Sequence, residues 1–227
     1  PVRKIVGPGN RYVTMAKLLV SRNVAIDMPA GPSEILVLAD GTADARIIAL
    51  DMISQAEHSI DSISGLITTS KKLAEGVIAE LGERISAIPR GEIVAEALRR
   101  NGFIILCQTM DEAIELANTF APEHLEIITE NPGGVAEKVT SAGLVLMGPS
   151  TPVAASDYCL GTNHVLPTSG FSHTLSGLSV LDFIRRVNFV ECSSEGLLRL
   201  RANVRVLAET EGLPNHSLAV EGRFKIE

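Results

Sequence analysis

The chain has 227 residues, 45% of them hydrophobic and 21% charged, with a net charge of -7 and only 4% aromatics. That is enough apolar material for one substantial core or two small ones, and acidic charge spread along the chain with no Lys/Arg run argues against a nucleic-acid partner. The longest apolar stretches, such as Ile35 to Ala39 and Ile104 to Cys107, are strand length and fall well short of the about 20 residues of a membrane span, so no membrane is expected as a partner.

The chain opens at Pro1-Val-Arg-Lys-Ile-Val, and Lys4 to Val6 reads as the end of a strand, Gly7-Pro-Gly-Asn10 as a tight turn and Tyr12 to Val20 as an amphipathic helix. This is the second half of a βα unit, as expected for a fragment of a longer protein. Gly31-Pro-Ser-Glu34 makes a loop that presents Ser33, followed by a continuously apolar strand at Ile35 to Ala39. Asp40-Gly-Thr42 then starts a helix that runs to about His58. A strand at Ile63 to Thr69, helices at Leu73 to Ile88 and Ile93 to Arg100, and an Asn101-Gly102 helix stop come next. Phe103 to Cys107, Leu125 to Thr129 and Leu144 to Met147 read as strands, separated by helices at Asp111 to Phe120 and Val135 to Val139. Strands alternating with helices of this size predict an α/β fold with a mostly parallel sheet and helices on both faces. From Gly148 to Gly177 the composition is that of a long functional loop carrying Asp157 and His164. A strand-like run at Phe189 to Glu191, a helix at Ser194 to Thr210 and a short tail close the chain. Cys107, Cys159 and Cys192 are odd in number and without CxxC spacing, which predicts ordinary core or near-core thiols in a reducing, cytoplasmic compartment.

Four of the five histidines sit beside carboxylates or an amide: His58 near Gln55, His124 next to Glu123, His164 in the loop with Asp157, and His216 shortly after Glu211. Gln55 and His58, three apart at a helix end, project from one face; they serve either as helix-end caps or, with Asp157 and His216, as a mixed nitrogen and oxygen donor set suited to zinc. Glu123 and His124 sit between a helix and a strand, where α/β sheets place catalytic groups, and can divide proton transfers between them; the other reading is a surface pair. Gly7 to Asn10 lacks the full dinucleotide spacing and by itself reads as an ordinary tight turn before a helix.

Seven blocks, Ile5-Val-Gly-Pro-Gly-Asn10, Asp27-Met-Pro-Ala-Gly-Pro-Ser-Glu34, Ser54-Gln-Ala-Glu-His58, Ala121-Pro-Glu-His-Leu-Glu126, Gly161-Thr-Asn-His-Val-Leu-Pro167, Ser176-Gly-Leu-Ser-Val180 and Glu211-Gly-Leu-Pro-Asn-His216, resemble in that order the histidinol dehydrogenase family. The resemblance runs from Ile5 to about Ala219 and covers the C-terminal half or so of the family's usual length. It implies an NAD-dependent, zinc-containing enzyme that oxidises L-histidinol through histidinaldehyde to L-histidine, the last steps of histidine biosynthesis. It places Gln55, His58, Asp157 and His216 as metal ligands and Glu123 and His124 as the catalytic pair. Ser33, His164 and Glu211 become substrate contacts beside those ligands and His124, and Asn10 a dinucleotide contact.

The resemblance also implies residues 1–32 as the remainder of a split nucleotide-binding domain, 33–178 as an incomplete Rossmann-like catalytic and metal domain, and 179–227 as a helical tail. In a homodimer that tail would bring Glu211 and His216 to the partner's site. Ser59-Ile60 and Phe171-Ser-His-Thr174 depart from the family pattern, which leaves His173 as a loop histidine. Two other readings stand beside this one: a related zinc dehydrogenase of another small alcohol, and a zinc- and ligand-binding fragment without turnover.

Overall fold

The computed structural model describes residues 1–224, which divide into two compact units, residues 1–183 and 184–224. The first begins with β1 (Lys4–Ile5), α1 (Arg11–Val20) and β2 (Ala25–Ile26), where β1 and β2 form a two-stranded parallel ladder. Then come β3 (Glu34–Ala39), α2 (Ala45–Ala56), β4 (Ile63–Thr68), α3 (Lys71–Arg84), α4 (Gly91–Asn101), β5 (Gly102–Leu106), α5 (Met110–Phe120), β6 (His124–Ile128), α6 (Pro132–Ala136), β7 (Leu144–Met147) and α7 (Val153–Tyr158). The five later strands make one all-parallel sheet in the order β5-β4-β3-β6-β7. The chain moves outward from β3 to β5, crosses back beside β3 as β6, and leaves a switch point between those two strands.

Period-two alternation along β3 builds both halves of the core. Ile35, Val37 and Ala39 face one cluster with Ile48, Ala49 and Met52 of α2, Leu73 and Val77 of α3 and Val153 of α7. Leu36 and Leu38 face the other with Ala113, Ile114 and Ala117 of α5 and Val135 of α6. A strand covered on both sides has no solvent face, and all six residues of β3 are buried. Each fully buried Ile or Leu there contributes roughly 1.5–3 kcal/mol.

Caps define the helix starts. Asp44, Ser70 and Thr109 cap α2, α3 and α5 by accepting from Arg46, Leu73 and Glu112 N–H. Gly102 passes α4 straight into β5 at φ -78, so its role is close approach and not a left-handed stop: a Cβ there would lie 2.4 Å from the Leu98 carbonyl oxygen.

The expected α/β class and helices on both faces hold. Other expectations are corrected. The long loop contains α7, so Asp157 stands on a helix; α2 ends at Ala56, so His58 follows the helix instead of riding on it. The α6 helix spans Pro132–Ala136 because Asn131 caps it through Gly134 N–H, earlier than Val135 to Val139. Of the three cysteines only Cys107 is buried; Cys159 and Cys192 are exposed.

In the second unit, α8 (Ser194–Thr210) and α9 (Pro214–Glu221) form a helical hairpin turning at Gly212 (φ +71). Arg201 pairs bidentately with Glu221 and lies 5.5 Å from the Phe224 ring centroid. The expected short tail is therefore a second helix. The Phe189 to Glu191 run forms no strand among the described residues, since a strand is a pairing and Phe189 and Val190 are 92% and 90% exposed.

Candidate active site

A cleft of about 500 Å³ in the first unit is lined by Pro8, Gly9, Ala30, Gly31, Ser33, Gln55, His58, Glu123, His124, Asp157, Tyr158, His164 and Leu166. The size suits a small molecule. It gathers seven of the residues singled out from sequence, drawn from the start of β3, the end of α2, the start of β6, α7 and the loop beyond it. Glu123, His124 and Ser33 stand at the amino ends of their strands, so the site occupies the end of the sheet opposite to where open α/β folds usually bind ligands.

Sharp turns aim Glu123 and His124. Ala121, wholly buried at φ 52, closes α5 in the left-handed region, so Pro122 and Glu123 leave the helix at once. The Glu123 carbonyl then accepts from Leu144 N–H at 2.8 Å, an approach so close that a Cβ on Gly143 would lie 2.7 Å from that oxygen. The carboxyl Oε2 of Glu123 accepts from Glu34 N–H at 2.8 Å, and the Glu34 carboxyl in turn accepts from Glu123 N–H at 3.3 Å and Ser169 N–H at 2.8 Å.

His124 is 4% exposed, and its Nδ1 lies 3.0 Å from the Glu34 carbonyl oxygen. A carbonyl only accepts, so Nδ1 carries the proton and Nε2 keeps its lone pair. That Nε2 is buried without a hydrogen-bond partner, 4.0 Å from Asp157 Oδ1. Burial holds the His124 pKa below its ordinary value. Glu123 is pushed up to about 8, first by burial and further by the negative charges of Glu34 and Asp157. An imidazole kept neutral and a carboxyl with raised proton affinity form a pair suited to proton transfer near neutral pH.

Gln55 is 1% exposed, yet its amide nitrogen has no partner. An amide turned end for end presents its oxygen instead. With Asp157 and His58 on the same wall, this gives one carboxylate, one imidazole and one uncommitted amide, a donor set that fits zinc or a similar borderline divalent ion. Among the described residues no three His, Cys, Asp or Glu side chains by themselves form a metal cluster.

The remaining candidates are not among the residues that line the cleft. Asn10 caps α1, its side-chain oxygen accepting from Tyr12 and Val13 N–H. Glu211 is the C-cap of α8 and His216 lies in α9; both are exposed residues of the second unit. His173 ends a single 3-10 turn, Phe171–His173, and is not the loop histidine expected from sequence; its ring lies between Ser141 Oγ and the Thr119 carbonyl, each at 3.2 Å.

None of Glu34, Lys17, Asp27, Asp51 and Glu126 is assigned a role from sequence. Lys17 and Asp27 form a buried ion pair; Lys17 also donates to Gly7 O, and Asp27 accepts from Gly7 and Met28 N–H. Burial works to raise Asp27, but these partners outweigh it and hold it below its ordinary value, fixing the loop that supplies Pro8 and Gly9. The available signal was a charge inside an apolar strand, as in Glu34-Ile-Leu-Val and His124-Leu-Glu-Ile-Ile.

Residues 1–224 match the sequence profile described as histidinol dehydrogenase. The histidinol dehydrogenase of Bacteroides thetaiotaomicron is 50% identical over 224 residues, covering 98% of this chain and 52% of that protein. That of Methanocaldococcus jannaschii is 47% identical over 221 residues, 97% of this chain and 51% of its own. The crystal structure of histidinol dehydrogenase from Elizabethkingia anophelis superposes with a TM-score of 0.93 at 39% identity, covering 98% of this chain and 51% of that one. An acetylating aldehyde dehydrogenase from Geobacillus thermoglucosidasius, at 15% identity and TM-score 0.52, shares the fold alone. The chain spans about half the length of the curated relatives it matches.

Proposed function

The chain belongs to the histidinol dehydrogenase family, and on that premise we propose that the whole protein oxidises L-histidinol through L-histidinaldehyde to L-histidine, with His124 and Glu123 as its proton-transfer groups. The observation that carries this reading is the unpartnered, buried Nε2 of His124, facing a cleft that also holds Glu123, Asp157, Gln55 and His58.

Gln55, His58 and Asp157, with His216 from the second unit of another copy, would hold zinc. Zinc there would orient the substrate's imidazole and amine and by its charge favour the ionised form of Glu123, while NAD would accept the hydride. His124 Nε2 takes the hydroxyl proton as the carbinol C–H hydride departs, leaving the aldehyde. The Glu34 carbonyl holds the opposite side of the ring and steadies the imidazolium as it forms. Glu123 then removes a proton from water as its oxygen bonds to the aldehyde carbon, while the His124 imidazolium returns its proton to the carbonyl oxygen; His124 next takes a hydroxyl proton of the hydrate as the second C–H hydride departs, which a second NAD would accept, leaving the carboxylic acid. Ser33, His164 and the partner's Glu211 would contact the substrate, and Asn10 the dinucleotide. The second copy makes the protein a homodimer with shared sites, and the histidine product suits a soluble biosynthetic enzyme of the cytoplasm.

Elemental analysis of the full-length protein is expected to give about one zinc per site, with His58→Ala losing it. A His58→Ala protein that keeps stoichiometric zinc sinks the ligand assignment. Absence of histidinol-dependent NAD reduction in the zinc-loaded wild type sinks the activity.

A further inference from the structure

Beneath the cleft lies a second pair of acids. Glu126 is one strand period inward from His124 on β6, 1% exposed; Asp51 is one helical turn before Gln55 on α2, 8% exposed. The two carboxyls are neighbours, each near enough to act on the other's charge. Glu126 Oε1 accepts from Val153 N–H at 3.0 Å, at the first residue of α7, while its Oε2 is buried with no hydrogen-bond partner. Carboxylate oxygens repel unless one carries a proton, so two acids in contact away from water retain one between them. Burial raises both groups, Asp51 to about 6 and Glu126 well above its ordinary value, and their mutual repulsion adds to the rise in Glu126.

Each end of this linkage leads to a different wall of the cleft. Asp51 is four residues from Gln55 and seven from His58; Glu126 is two from His124; Val153 is four from Asp157. We propose that Asp51 and Glu126 are a proton-sharing pair of positioning residues that ties α2, β6 and α7 together and so sets the spacing of Gln55 and His58, of Glu123 and His124, and of Asp157. The positioning half of this inference rests on the reading of the site given above; the shared proton does not. The strand-and-helix spacing explains why an acid pair stands in a place that apolar side chains would fill at lower cost: the Val153 N–H bond to Glu126 and a proton held between the acids fix direction as well as distance, which apolar packing does only loosely.

The test uses Asp51→Asn, Asp51→Ala and Glu126→Gln in the full-length protein. An amide at 51 still donates to Glu126 without needing the proton; alanine leaves Glu126 facing a void. Asp51→Asn is expected to keep kcat/KM for histidinol and affinity for added zinc chloride within about threefold of wild type. Asp51→Ala is expected to lose about 10–100-fold in both, as typical of groups that orient ligating residues, at temperatures well below its Tm. Folded Asp51→Ala with wild-type zinc affinity and kcat/KM overturns the positioning role, as does Asp51→Asn failing as badly as alanine. The proton is read separately by infrared difference spectroscopy at neutral pH: wild type minus Asp51→Asn, and wild type minus Glu126→Gln, should each show a lost protonated-carboxyl band. No lost band in either overturns the pair even if Asp51→Ala does not fold. If the wild type itself oxidises no histidinol, the functional reading falls, while zinc affinity and the infrared bands still decide this one.

Discussion

The two ends of the five-stranded sheet treat their acids in opposite ways. At the carboxyl end, Asp40 accepts from Thr42 N–H at 2.9 Å and from Glu130 N–H at 2.8 Å, and Asp44, Ser70, Thr109 and Asn131 each cap the helix that follows. Burial works to raise Asp40, but its donors outweigh it and hold its carboxyl below the ordinary range. At the amino end the balance reverses: Glu123 keeps the Glu34 N–H, and burial still lifts it to about 8. The helix N-termini that usually receive a ligand's anionic groups are occupied by the chain's own side chains. The unpartnered buried atoms of Gln55 and His124 lie at the other end. A carboxylate among enough donors serves structure; an acid or imidazole denied them keeps its capacity for chemistry.

The comparison breaks most visibly through catalysis. In the full-length protein His124→Ala should lower kcat by about 10²–10⁴-fold, and Glu123→Gln should damage the aldehyde half-reaction more than alcohol oxidation, measured with each substrate separately. Equal losses in both half-reactions remove the division of labour. A second test addresses the shared site: mixed His58→Ala and His216→Ala proteins should recover part of wild-type activity, because one site of a mixed two-fold dimer regains every ligand. Activity that stays at single-mutant level after subunit exchange is verified shows that the hairpin serves its own subunit.

A third test sharpens the electrostatic contrast. With metal chelated, folded Glu123 binds its proton up to about pH 8 where the unfolded chain releases it near 4.5. Its contribution to stability is therefore fully present below about 4.5 and is lost as pH rises through about 8. Urea unfolding should show stability falling across that window by an order of a few kcal/mol, and Glu123→Gln should flatten the fall; an unchanged slope contradicts the burial argument. The smallest effect belongs to the carboxyl end: Asp44→Ala should cost about 1 kcal/mol by loss of a cap and leave kcat unchanged. A drop in kcat with that variant would mean the two ends are not independent.

Element types were legible because periodicity and caps are local. The Ser194–Thr210 helix and the Leu144–Met147 strand stand where their patterns put them. The α7 helix was not, because six residues with Pro152 as N-cap and no side-chain cap carry too little local signal within a Gly, Pro, Ser and Thr background. Nor was β2, a two-residue strand that exists only by pairing with β1.

The sequence by itself determined the α/β alternation and the chemical types of the site, because hydrophobic period and side-chain chemistry are carried by neighbours a few residues apart. Only the tertiary structure decided that the cleft opens at the amino ends of β3 and β6 and that His124 presents Nε2. It likewise brought Asp51 and Glu126 into contact across 75 residues of chain. These depend on which strand lies beside β3 and on how much water and how many donors the fold leaves around each polar atom, quantities that belong to the assembled sheet and not to any segment of it.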